Sequence, residues 1–169
     1  ADAALRTERY GDALADKTFV LSWAPHPKPL PMAVPNTALR TAARCGMDVT
    51  VARPDTHALD PGVMAEAEAL AETQGGSVSA TSDQAAAAEG ADVVYAKSWG
   101  GPLVYENPEA ESEARAARSD WRITAALMAR TRNGALLHCL PVRRNVVVDD
   151  AAPDGPPAAH LDQAAYRLP

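Results

Sequence analysis

The 169 residues are 47% hydrophobic and 22% charged, an ordinary globular composition that suits one domain with a sizeable core and argues against a disordered chain. Sixteen basic residues against 22 acidic ones leave a formal charge of −6, so there is no electrostatic reason to expect nucleic acid or an anionic membrane as partner. No apolar run is long enough to span a bilayer and the start Ala1-Asp2-Ala3-Ala4-Leu5-Arg6 lacks a signal-peptide layout; a cytoplasmic location is expected.

Residues 1–15 are Ala-rich and charged, with Leu5, Tyr10 and Leu14 near helical spacing, and read as an incoming helix or linker to a domain over 16–169. The abrupt start without Met suggests that something upstream is missing, with processing as the other explanation. Lys17 to Trp23 is the first strand by its β-branched and aromatic members. Pro25-His26-Pro27-Lys28-Pro29 must be a rigid loop, because alternating prolines remove donors and hold the backbone extended; His26 and Lys28 are expected to fix it. Val34 to Cys45 is an amphipathic helix stopped by Gly46, and Met47 to Ala52 the second strand. Cys45 and Cys139 share no CxxC spacing, so neither a zinc site nor a disulfide framework is expected.

Pro61 to Gln74 contains a helix ended by Gly75-Gly76, and Ser77 to Ala80 is a weak third strand. Gln84 to Glu89 is a short Ala-rich helix, followed by a fourth strand over Asp92 to Ala96 with Lys97 at its carboxyl end. The length and position of Gly100 to Ser119 favour a mobile binding loop, partly helical. Asp120 to Arg130 is expected as a helix, and Asn133-Gly134 as the turn into the strand Ala135-Leu136-Leu137. Ala158 to Leu161 is a poor sixth strand, and Asp162 to Leu168 the start of a helix that is cut off.

Strand and helix alternate about every 25 to 30 residues without hairpin signals, which predicts a doubly wound parallel α/β sheet with helices on both faces, a Rossmann-like three-layer single domain. No strand is followed by GxGxxG, which argues against a nicotinamide-dinucleotide site on the same topology.

The most informative stretch is His138-Cys139-Leu140-Pro141-Val142-Arg143-Arg144-Asn145. It follows a buried strand and so delivers polar groups to a sheet edge, where open α/β sheets bind small ligands. Pro141 keeps Leu140 out of helical geometry, which leaves the Cys139 and Leu140 carbonyls as acceptors for an amide NH2. Arg143 and Arg144 suit bidentate contact with a carboxylate or phosphate. The spacing alone equally allows a loop with one buried Cys and two solvated arginines. Lys97 needs a cleft or an anion to end a buried strand. A Cys139 thiolate activated by His138 is rejected, since adjacent residues on a strand point to opposite faces.

This stretch resembles the His-Cys-Leu-Pro motif of the ornithine-type carbamoyltransferases, and its Arg-Arg-Asn continuation resembles the branch acting on N-acylated ornithine. Trp23-Ala24-Pro25-His26-Pro27-Lys28-Pro29-Leu30 and Val94-Tyr95-Ala96-Lys97-Ser98-Trp99-Gly100 agree with it, in the family's order. The likeness runs from about Asp16 to Arg167 and covers the family's second, amino-acid-binding domain. It implies transfer of a carbamoyl group from carbamoyl phosphate to the side-chain amine of N-acetylornithine, giving N-acetylcitrulline and phosphate in arginine biosynthesis, with no metal or other cofactor. By the resemblance, Arg143 and Cys139 make the catalytic contacts, Cys139 and Leu140 through their carbonyls. Lys97, Cys139, Leu140, Arg143 and Arg167 bind substrate, and Arg144 pairs structurally. The alternatives are free ornithine or N-succinylornithine as substrate, or a non-catalytic small-molecule-binding module.

Two features depart from the family. Some acylornithine enzymes carry a lysine shortly after Arg-Arg-Asn, where this chain has Val147, and Ala151 to Pro157 is unusually rich in proline. The family's Ser-x-Arg-Thr-Arg phosphate loop belongs to its first domain and is not found in these residues. Because the family's active site is shared between subunits of a trimer through that domain, the chain is expected to be inactive alone.

Overall fold

The computed structural model of the chain describes residues 14–139 and 143–149. Five strands form one sheet: β1 (Thr18–Trp23), β2 (Asp48–Ala52), β3 (Ser77–Thr81), β4 (Val93–Lys97) and β5 (Ala135–Leu137), in the order β3-β2-β1-β4-β5. Every pairing is parallel. The fold class is the one expected, a doubly wound α/β sheet, and each of the five strands read from the sequence within the described residues is present.

Strand composition sets strand position. All of β4 and all but the first residue of β1 are buried, which is why both read as near-continuous apolar runs and lie at the centre. β3, with the sequence Ser-Val-Ser-Ala-Thr, has no fully buried residue and takes the edge, where a short polar strand discourages pairing with other chains.

The helices are α1 (Ala33–Arg44), α2 (Pro61–Thr73), α3 (Gln84–Ala88), α4 (Pro108–Ala116) and α5 (Ala125–Met128). Their starts follow local chemistry. The Asp60 carboxylate accepts from the backbone N–H of Gly62 and Val63 ahead of α2, and Asp83, Asn107 and Thr124 cap α3, α4 and α5 in the same manner. Behind α1, Gly46 adopts φ +69°, the left-handed stop that glycine tolerates without cost. The N-terminal half of the Asp120 to Arg130 helix is not helical: Ser119–Trp121 is a 3-10 turn and Ile123 pairs with Val148 in a β-bridge, leaving only the four residues of α5. Helix propensity there yields to the bridge, which ties the chain after β5 back to the molecule. The stretch read as a partly helical binding loop contains the nine-residue helix α4, capped by Asn107 with Pro108 at its first position.

The strand order places the site. The chain adds β2 and β3 on one side of β1, then crosses over to lay β4 on the other side. The connections leaving β1 and β4 therefore diverge, opening a crevice beyond their carboxyl ends. In the β1–β4 register Trp23 lies opposite Lys97, so the last residue of each strand stands at this switch point. Most of residues 1–15, the proposed sixth strand, the Pro-rich 151–157 and the final helix lie outside the described residues.

Candidate functional site

A hollow of about 230 Å³ occupies that crevice. Three connections wall it: His26 and Leu30 from the proline loop after β1, Lys97 and Ser98 from the end of β4, and His138, Cys139, Arg143 and Val147 from the segment after β5. The structure thus brings Lys97, Cys139 and Arg143 together. Leu140 and Arg167 lie outside the described residues.

Local bonds hold these walls in place. The Ala24 N–H donates to the Lys97 carbonyl at 3.1 Å, and the Ser98 hydroxyl donates to the Ala24 carbonyl at 2.5 Å, so β1 and β4 stay joined beyond the sheet. The Gly100 N–H donates to the Leu30 carbonyl at 3.0 Å and anchors the far end of the proline loop. Within that loop the Lys28 N–H donates to His26 Nδ1 at 3.1 Å, in keeping with the expectation that these two residues fix it. The segment after β5 is held by Arg122, whose guanidinium donates to the Asn145 carbonyl at 3.0 Å and pairs with Asp149 at 2.8 Å. Arg144 contributes its backbone to a bridge with Val148.

Charge distinguishes the hollow. Lys97 is only 7% exposed, and among the described residues no hydrogen bond or ion pair engages its ammonium. A buried cation without a counter-ion is costly, so the position is suited to an anion supplied from outside. Arg143 is solvent-exposed, and among the described residues its guanidinium likewise has no partner, leaving a planar fork of donors at the mouth. Cys139 is half-buried and unoxidised. Leu30 and Val147 supply the apolar part of the wall, and Val147, 2% exposed, stands where the sequence reading noted the missing lysine. The arrangement fits a small ligand with an anionic group near Lys97, an apolar body, and a second polar or anionic group within reach of Arg143.

Sequence reasoning overlooked Ser98 as a brace and His138 and Val147 as walls. The signal for His138 was available, since a polar residue directly after a buried strand stands at the sheet edge. Nothing local marks Arg122, whose partners are 23 and 27 residues away in the chain.

Residues 32–169 match the family model described as aspartate/ornithine carbamoyltransferase, Asp/Orn binding domain. The N-acetylornithine carbamoyltransferase of Xanthomonas campestris pv. campestris is 42% identical over 170 residues, covering 99% of this chain and 50% of the relative. The N-succinylornithine carbamoyltransferase of Bacteroides thetaiotaomicron is 34% identical, covering 88% of this chain and 42% of the relative. Among solved structures, an acetylornithine transcarbamylase complexed with acetylcitrulline superposes with a TM-score of 0.92 at 41% identity, over 98% of this chain and 50% of that one. The chain spans about half the length of the relatives it matches. A family model matched over residues 32–169 and a relative 42% identical across nearly the whole chain establish that the chain belongs to the aspartate/ornithine carbamoyltransferase family, in its Asp/Orn-binding domain.

Proposed function

We propose that the chain is the amino-acid-binding half of an N-acetylornithine carbamoyltransferase, which moves a carbamoyl group from carbamoyl phosphate to the side-chain amine of N-acetylornithine and yields N-acetylcitrulline and phosphate. The observation that carries this reading is the convergence of Lys97, at the end of β4, and Arg143, in the segment after β5, on one hollow. The higher identity to the acetylornithine than to the succinylornithine relative favours the acetyl substrate.

In this reading Lys97 binds the substrate carboxylate and acyl oxygen. An acylated α-amine is neutral, so it adds no positive charge beside the Lys97 ammonium. The Cys139 and Leu140 carbonyls accept from the carbamoyl NH2 and hold the plane of the carbonyl for attack. Arg143 stabilises the oxyanion that develops as the neutral amine adds, and Arg167 contacts carbamoyl phosphate. The nitrogen–carbon bond forms, the carbon–oxygen bond to phosphate breaks, and the proton lost by the attacking amine leaves on the departing phosphate. Orientation and charge stabilisation suffice for this chemistry, and no protein nucleophile is needed. The full enzyme is a cytoplasmic homotrimer of arginine biosynthesis whose first domain brings the phosphate-binding loop.

The test is a carbamoylation assay with carbamoyl phosphate and, in parallel, N-acetylornithine, N-succinylornithine or ornithine. The chain is assayed alone and with the first domain of the Xanthomonas relative supplied. Carbamoylation of N-acetylornithine in the reconstituted sample is the expected result. Binding of N-acetylornithine without product in every sample would make the chain a binding module, and preference for free ornithine would overturn the acyl assignment.

A further inference from the structure

Behind the hollow, and not lining it, is a buried charged cluster: His57 is 0% exposed, Glu111 2% and Arg115 5%. His57 ends a 3-10 turn (Asp55–His57) after β2, whereas Glu111 and Arg115 lie one turn apart on α4. Arg115 Nη1 donates to Glu111 Oε2 at 2.5 Å, and the other carboxylate oxygen faces His57 Nε2 at 3.5 Å. Burying three ionisable groups without a ligand calls for an explanation, because a buried ion pair adds little stability compared with apolar residues of similar size.

The bonds leading out of the cluster supply one. The oxygen facing His57 also accepts from the Gly101 N–H at 3.4 Å, so the carboxylate grips the backbone four residues after Lys97. His57 carries the other grip. Its carbonyl accepts from the Trp99 indole at 2.9 Å, and its ring lies 4.5 Å from the Trp23 ring. The Trp23 indole in turn donates to the Trp99 carbonyl at 3.0 Å. This circuit runs through Trp23, opposite Lys97 in the sheet, and through Trp99, two residues beyond it. Gly101 fits so closely that a Cβ there would collide with the Thr56 carbonyl oxygen.

We propose that Glu111, held by Arg115 and working with His57, is a positioning residue: it clamps residues 98–101 onto the turn after β2 and so keeps the Lys97 ammonium buried in the hollow, set for its anion. The proposal rests on reading Lys97 as substrate-facing, but its test requires no substrate. α4 thereby becomes the support of the binding wall.

The chain has three lysines, Lys17, Lys28 and Lys97, so brief acetylation with acetic anhydride followed by peptide mass spectrometry reads Lys97 against two internal references. In the unaltered chain Lys97 reacts slowest. Replacing both members of the ion pair, Glu111→Leu with Arg115→Leu, retains buried volume without leaving an unpaired charge, so the fold is expected to survive. The expected result is a rise of about tenfold in the Lys97-to-Lys28 ratio at an unchanged melting temperature, the equilibrium weight of one charge-assisted hydrogen bond. His57→Phe, which keeps a ring over Trp23, is the second variant, with a smaller rise in the same direction. A ratio within about twofold of the unaltered chain in folded samples of both variants would reduce the cluster to structural packing and overturn the proposal. Titration of the unaltered chain with N-acetylornithine, followed by ligand-observed NMR, separately tests the reading of Lys97. No binding there, combined with a raised ratio in the variants, would sink the substrate assignment and leave the clamp standing.

Discussion

Lys97 and Arg143 share a hollow but differ in what each costs the fold. Lys97 is buried and, among the described residues, unpaired, so its ammonium opposes folding, a cost that the substrate role proposed for it would explain. Lys97→Met, similar in length and shape, is expected to hold or raise the melting temperature while weakening N-acetylornithine binding by about tenfold or more. Calorimetry and ligand titration of the same sample check both halves. Arg143 is exposed, and Arg143→Ala should change unfolding free energy by no more than about 0.5 kcal/mol. In the reconstituted transfer assay the same variant should lose on the order of 10²- to 10³-fold in kcat, as expected when a donor to a developing oxyanion is removed.

The elements that matter most are the loops beyond the carboxyl ends of β1, β4 and β5. The turn at Gly101 shows how little freedom they have. Its φ is −75°, within reach of any residue, so the requirement for glycine comes from the Thr56 carbonyl pressing against it. Gly101→Ala is therefore expected to destabilise the chain by about 1–3 kcal/mol, the usual cost of forcing atoms into a packed region, as read by urea denaturation. α4 and α5 show where element-level reasoning succeeds and where it stops. The connection from Gly100 to Ser119 reads as a partly helical loop, and Asn107 capping Pro108–Ala116 fixes where its helix begins. The stretch Asp120 to Arg130 reads as one helix, yet only its Ala-Ala-Leu-Met run is α5, the residues before it being taken by the 3-10 turn and the Ile123–Val148 bridge.

At the scale of the whole molecule, the buried cluster under the binding wall makes stability depend on pH. Burial holds the His57 imidazole below its ordinary value; Glu111 opposes that shift and Arg115 adds to it. The folded state therefore binds a proton less readily than the unfolded chain, whose histidines titrate near about 6.5. Stability is full above that pH and falls as pH drops below it, by up to about 1.4 kcal/mol per unit, until the folded value is reached. Melting curves from pH 7.5 down to about 5 should show this loss, and His57→Phe should flatten it. A profile unchanged by that substitution would place the titrating group elsewhere.

The sequence by itself determined the parallel α/β fold, because apolar runs of strand length, glycine stops and acidic or hydroxyl caps are local signals that each element carries within a few residues. It also drew attention to Lys97 at the end of a buried strand, whereas for Cys139 and Arg143 the spacing allowed an ordinary loop equally well and the family resemblance pointed to them as site residues. Only the tertiary structure decided that these residues, 46 positions apart from first to last in the chain, line one cavity, because that depends on β5 pairing in parallel beside β4, so that the segment after β5 reaches the end of β4. The same holds for His57 meeting Glu111, for Arg122 reaching Asp149 and for the Thr56 carbonyl confining Gly101. Each is a contact between elements distant in sequence, set by strand order and packing, and no local pattern of residue types encodes it.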